Sequence, residues 1–126
     1  MPRSVDSLRT GMLAVLRRSD GFASGMSGSI RETESAELPS VWIGVTASVD
    51  SGSNEVELLA TVHVSASTEG GASNSVKDVQ SVFSEPPACD GYVTTFWAVG
   101  HSEVRFDEEQ SAYRGLARFI AHVRPL

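Results

Sequence analysis

The sequence predicts an α+β fold, a sheet with helices packed against it, and three observations carry that expectation. Two neighbouring stretches alternate apolar and polar residues with the period of a strand, two others repeat apolar residues at helical spacing, and turn-forming residues separate them. At 126 residues, 40% hydrophobic and 21% charged, the chain has material for one core and not for two, so residues 1–126 read as a single domain.

The first helix is expected near residues 5–18. Ser4 is a capping residue type, Val5, Leu8, Met12, Val15 and Leu16 form the apolar stripe, and Arg17 and Arg18 stand in the last turn, where the helix dipole favours cations. Gly21 follows as a stop. Residues 19–40 are rich in Gly, Ser and Glu and read as a long loop, with at most a short strand around Ile30.

After Pro39 the pattern becomes clean. "VWIGVTASV" sets Val41, Ile43, Val45, Ala47 and Val49 against Trp42, Gly44, Thr46 and Ser48. "EVELLATVHV" sets Val56, Leu58, Ala60, Val62 and Val64 against Glu55, Glu57, Thr61 and His63. The linker at 50–54, Asp-Ser-Gly-Ser-Asn, suits an antiparallel pair, so the two strands are expected to form a hairpin. A second Gly/Ser stretch at 66–73 reads as a loop ending at Ser73. That residue is the expected cap of a helix over 73–85 that carries Val76, Val79 and Phe83 and is stopped by Pro86-Pro87. From Tyr92 to Phe106, Thr, Phe, Trp and Val favour a strand, bent at Gly100.

The last stretch, "AYRGLARFIAHVR" at 112–124, reads two ways. As a helix it gathers Leu116, Phe119, Ile120 and Val123 on one stripe, with Asp107, Glu108 and Glu109 ahead of it and Arg118, His122 and Arg124 toward its end, the charge order a helix dipole prefers. As a strand it places Tyr113, Gly115, Ala117, Phe119, Ala121 and Val123 on one face and Arg114, Arg118, His122 and Arg124 on the other. An interior Gly115 costs a helix about 1 kcal/mol relative to Ala. Local signals leave both readings open.

Composition narrows the function classes. A net charge of -6 and a pI near 4.9 argue against a general attraction to nucleic acid, which needs clustered Lys and Arg. No stretch approaches the roughly 18 consecutive apolar residues of a membrane span, and no basic stretch followed by an apolar run opens the chain, so neither membrane insertion nor a signal peptide is expected. Cys89 is the one cysteine, which leaves no internal disulfide.

Catalytic signals are weak. His63, His101 and His122 are widely spaced and form no HxxxH or HExxH pattern, so no metal site is expected. Cys89 and His101 would need an oxyanion motif that the sequence lacks, Asp50, Asn54 and Glu55 lack the alternating acids of a calcium loop, and Gly70-Gly71 reads as a linker rather than a phosphate loop. Trp42 and Trp97 suit a core or an interface better than a base-stacking platform. The chain is therefore expected to be no enzyme and to bind no cofactor.

The order of elements carries a resemblance. "SVDSLRTGMLAVL" at the start, "SGSIRETESAELPSVWIGV" into the first long strand and "EVELLATVHVSA" as its partner, then "SNSVKDVQSVF" as second helix and "EVRFDEEQSAYRGLARFIAHVR" as closing hairpin, together resemble the tail-terminator (tail-completion) proteins of long-tailed viruses of bacteria and archaea. The likeness spans nearly the whole chain and consists of pattern and order. Where the family commonly has an Arg-Ile pair, this chain has Ser29-Ile30-Arg31.

The resemblance implies that residues 112–124 are a strand, in a single four- to five-stranded mixed or antiparallel sheet flanked by two helices, in the order α-β-β-β-α-β-β. It also implies a structural virion protein, assembled in the host cytoplasm. Such a protein forms a homo-oligomeric ring, usually of six subunits, on the head-proximal end of the tail tube. The ring would end tube growth, meet the tube protein on one face and a head-completion or connector protein on the other, and let genome DNA through its lumen without specific binding. Another neck component, a head-closure or adaptor protein, is the nearest alternative; a small α+β enzyme or ligand-binding module is the more distant one.

With residues 112–124 as a strand, its even face sets Leu116 and Ile120 among Arg114 and Arg118, which suits neither a dry interior nor an idle surface. These four residues, with Glu55 and Glu57 as acidic counterparts, are the candidate subunit interface.

Overall fold

The structure, a computed structural model, describes residues 3–19, 30–31, 38–48 and 54–126. The elements are α1 (Arg3–Arg18), β1 (Ser40–Ser48), β2 (Val56–Ala66), α2 (Glu69–Val82), β3 (Tyr92–Asp107) and β4 (Ala112–Pro125). The four strands form one sheet in the order β1-β2-β4-β3, with every neighbouring pair antiparallel. Segments 20–29, 32–37 and 50–53, expected within loops, and Val49, expected to end the first strand, lie outside the described residues. None of the described helices is long and apolar enough to cross a membrane.

The hairpin forms as the alternation predicts, with Ser40 opposite Ser65 and Ser48 opposite Glu57. Residues 112–124 are strand: β4 pairs with β2 from Val56↔Val123 to Ala66↔Tyr113 and with β3 on its other side. A central strand is satisfied by two neighbours at once, and that non-local pairing outweighs the local charge order favouring a helix. The short strand expected around Ile30 reduces to a single parallel bridge, Ile30↔Val41, with the Arg31 N–H donating to the Val41 carbonyl at 2.7 Å.

Both helices lie on one face of the sheet. In α1 the buried row is Ser4, Leu8, Met12 and Leu16, four residues apart, with Val5 and Leu13 beside it. Ser4, expected as the cap, is instead inside the first turn and 2% exposed, because it stands one turn before Leu8 on the row that faces the sheet. Gly11 lies where α1 approaches the chain after α2, and a methyl group there would collide with the Ala88 carbonyl oxygen.

The second helix starts four residues before the expected start. Thr68, not Ser73, is the cap: its backbone is extended and its hydroxyl accepts the Gly71 N–H at 2.9 Å. The expected loop at 66–73 is therefore mostly helix, with Gly70 and Gly71 in the first turn, where a cap offsets their low propensity. The helix also ends at Val82, ahead of Pro86. Phe83 caps it, and the Phe83 carbonyl accepts the Trp97 indole N–H at 2.9 Å, a tertiary tie no local pattern announces.

The core lies between the helices and the odd face of β4. Phe83, Phe119 and Trp97 form an aromatic trio, Phe119 edge-on to Phe83 at 5.4 Å and stacked with Trp97 at 5.3 Å. Gly115 runs beneath α2: an added methyl would collide with Val76 Cγ2 and stand 3.5 Å from the Ala72 carbonyl. Small residues there let helix and strand close up.

Candidate subunit interface

The face of the sheet away from the helices can be laid out from the strand registers. Crossing from β1 to β3, one row reads Trp42, His63, Leu116, Glu103; the next but one reads Thr46, Leu59, Ile120, Ala98; a further one reads Ser48, Glu57, His122, Phe96. Arg118 lies between the first two of these rows, opposite Thr61, and Arg114 lies just outside them, before Leu116 and opposite Ser65. Arg114, Leu116, Arg118, Ile120 and Glu57 thus share one face, with Glu55 at its margin just before β2. Leu116 and Ile120 are half-buried, and no helix among the described elements covers them.

The charges are partly paired within the chain. Arg114 Nε lies 3.2 Å from Asp107 and its guanidinium donates to Gln110 at 3.0 Å. It also lies over the Trp42 ring, 5.6 Å from the centroid, while Trp42 stacks on His63 at 5.0 Å, so this corner is closed by its own side chains. At the other end the two His122 ring nitrogens stand 3.2 Å from Glu55 and 2.9 Å from Glu57. Both contacts are donor hydrogen bonds only when the ring is doubly protonated. Arg118 is exposed and forms no ion pair among the described residues. Of the two arginines expected to seek acids on a neighbour, Arg114 already has Asp107, and Arg118 is the one that remains available.

The structure adds apolar residues to the face that were not singled out. Leu59 is 40% exposed and directly opposite Ile120; Phe96 is 47% exposed and packs on His122 at 4.9 Å. Leu59 had a signal, because it interrupts the polar alternation of Glu55, Glu57, Thr61 and His63. Phe96 had none: a register shift between Thr94 and Phe96 turns it to this face.

A cavity of about 210 Å³ opens beside Leu116, lined by His63, Glu103, Arg105, Arg114 and Gly115. The hydrogen bond from Arg105 holds the Glu103 carboxyl below the usual carboxylate range. Cys89 sits in the core cluster, where burial, and then the charge of Asp90, push its thiol up and away from the reactive thiolate. His101 is exposed on β3. Among the described residues no three His, Cys, Asp or Glu side chains are placed to hold a metal ion.

No protein-family model matches the chain, and no curated protein matches it. Among solved structures it is similar to a chain of the virion of a native gene transfer agent particle, at a TM-score of 0.77 and 14% identity, covering 96% of this chain and 97% of that one. At that identity the likeness is one of fold, and it extends over essentially the full length of both chains.

Proposed function

We propose that this chain is a structural virion protein, not an enzyme, that assembles as a six-membered ring on the head-proximal end of a viral tail tube. There it ends tube growth and offers the surface to which the head connector attaches. The observation that carries the reading is the end-to-end fold likeness to a chain of a gene transfer agent virion, which fits the tail-terminator pattern of the sequence. A ring is a head-to-tail arrangement whose rotation closes, and each subunit must give it two different surfaces. The sheet face that no described element covers is the candidate for one of them: half-buried Leu116 and Ile120, exposed Leu59 and exposed Arg118 make an apolar centre with a charged edge. Tube protein and head-completion protein meet the two axial ends, and DNA passes through the hole without being held, consistent with a net charge of -6.

Locating the chain by electron microscopy of the particle tests the reading directly: density in the capsid shell or tail fibres would overturn it. In solution, Arg118→Glu and Leu116→Asp are each expected to abolish ring or particle assembly while the monomer stays folded. A ring that forms equally well with both changes removes this face from the interface. The isolated protein is expected to pass a DNA column at about 0.15 M salt, where a patch neutralising several phosphates would still be retained.

A further inference from the structure

We propose that the free edge of β3 is a self-complementary strand-pairing site whose occupant is a second copy of this chain. β3 is an edge strand of 16 residues, bonded to β4 on one side and to none of the described residues on the other. Four of the large apolar side chains that remain exposed, Val93, Phe96, Val99 and Phe106, belong to it. An edge of this kind presents a row of unmade backbone hydrogen bonds, and charge along it ordinarily keeps other copies away. Here the pattern of charge does the reverse.

A register shift between Val99 and Ser102 makes two residues of β3 oppose Arg118, and beyond it the strand runs regularly to Asp107. In that stretch His101, Glu103, Arg105 and Asp107 share the uncovered face, nitrogen-bearing side chains alternating with carboxylates, with Glu103 already 2.6 Å from Arg105 and 3.9 Å from His101. Two copies laid antiparallel with Val104 on the two-fold axis set Glu103 opposite Arg105 of the second copy and His101 opposite its Asp107, and the dyad repeats each pair. Moving the axis to Glu103 sets Glu103 against Glu103 and Arg105 against His101; moving it to Arg105 sets Arg105 against Arg105 and Glu103 against Asp107. Like charges directly opposite are unfavourable, and an axis at Ser102 or Phe106 brings only one complementary pair together, His101 with Glu103 or Arg105 with Asp107, so the Val104 register makes the most such pairs. On the helix side the same register places Phe106, 49% exposed, diagonal to Val104 of the second copy. Alternate residues turn both backbone groups toward the free side, so seven rungs supply about six to eight hydrogen bonds.

Such a contact closes after two copies, so it is distinct from the head-to-tail contact of a ring and does not rest on the ring reading. Sedimentation of the full chain across a dilution series reads it. The parent is expected to dimerise, with the amides of 101–107 protected from hydrogen exchange in proportion to dimer. Glu103→Arg and Arg105→Glu are each expected to weaken the dimer about tenfold or more, since the dyad turns two attractive contacts repulsive at once; combined, they restore it. A parent that stays monomeric, a dimer whose 101–107 amides exchange freely, single changes without effect, or a double change that fails to restore pairing overturns the proposal. Assembly lost in Arg118→Glu while this dimer persists bears on the ring reading alone.

Discussion

The two faces of β4 share one backbone and differ in almost everything else. On the helix side Gly115, Ala117, Phe119, Ala121 and Val123 are all buried, and each size answers to something above it: Gly115 to Val76, Phe119 to Phe83 and Trp97. On the other side Arg114, Leu116, Ile120 and His122 are half-buried and Arg118 is exposed. The side-chain sizes there answer to no covering helix among the described elements, and order comes from lateral pairs such as Arg114 with Asp107 and His122 with Glu57. Among the described residues, one face is covered by helices of the same chain, while the other leaves Leu116 and Ile120 half-buried and Leu59 exposed.

Mutations on the two faces are expected to differ in cost. Phe119→Ala, on the finished face, is expected to cost about 3–5 kcal/mol in urea unfolding, while Ile120→Ala next to it costs about 1 kcal/mol; equal losses would mean that the faces are buried alike. Gly11→Ala is expected to cost about 1–3 kcal/mol, because its methyl meets the Ala88 backbone, which cannot step aside as a side chain can. Full stability in that variant would place α1 farther from residue 88 than the structure has it. Trp97→Phe keeps most of the ring packing and removes the indole donor to the Phe83 carbonyl, for an expected loss of about 1 kcal/mol. Arg118→Glu should change monomer unfolding by less than about 0.5 kcal/mol, as a surface change does, and still abolish assembly. A large unfolding loss would make Arg118 part of the fold rather than of an interface.

Much of this architecture was legible in the chain because its cause is local. The period-two alternation at 41–49 and 56–64 fixes which side chains share a face whatever the surroundings, and the hairpin follows it rung by rung. The stripe of α1 is legible for the same reason, and so is the candidate face, since Leu116 and Ile120 fall between arginines at strand spacing. Where the expectation failed, two local signals competed. Thr68 and Ser73 are both capping types, and choosing between them depends on whether Gly70 and Gly71 gain enough from the packing of Ala72 and Val76 to remain helical. The exposed side of Phe96 was hidden because a bulge changes parity without leaving a mark in composition.

The strand periods, the first helix, the acidic balance and the mismatch of apolar and guanidinium groups on one face of residues 112–124 are properties of neighbours along the chain and can be read from it directly. That those residues are a strand at all, that Arg114 pairs with Asp107 and His122 with Glu55 and Glu57, and that β3 is the edge of the sheet among the described residues came only with the fold. Those depend on which segments, distant in sequence, come to lie side by side, and loop closure followed by burial of the common core settles that, not local preference.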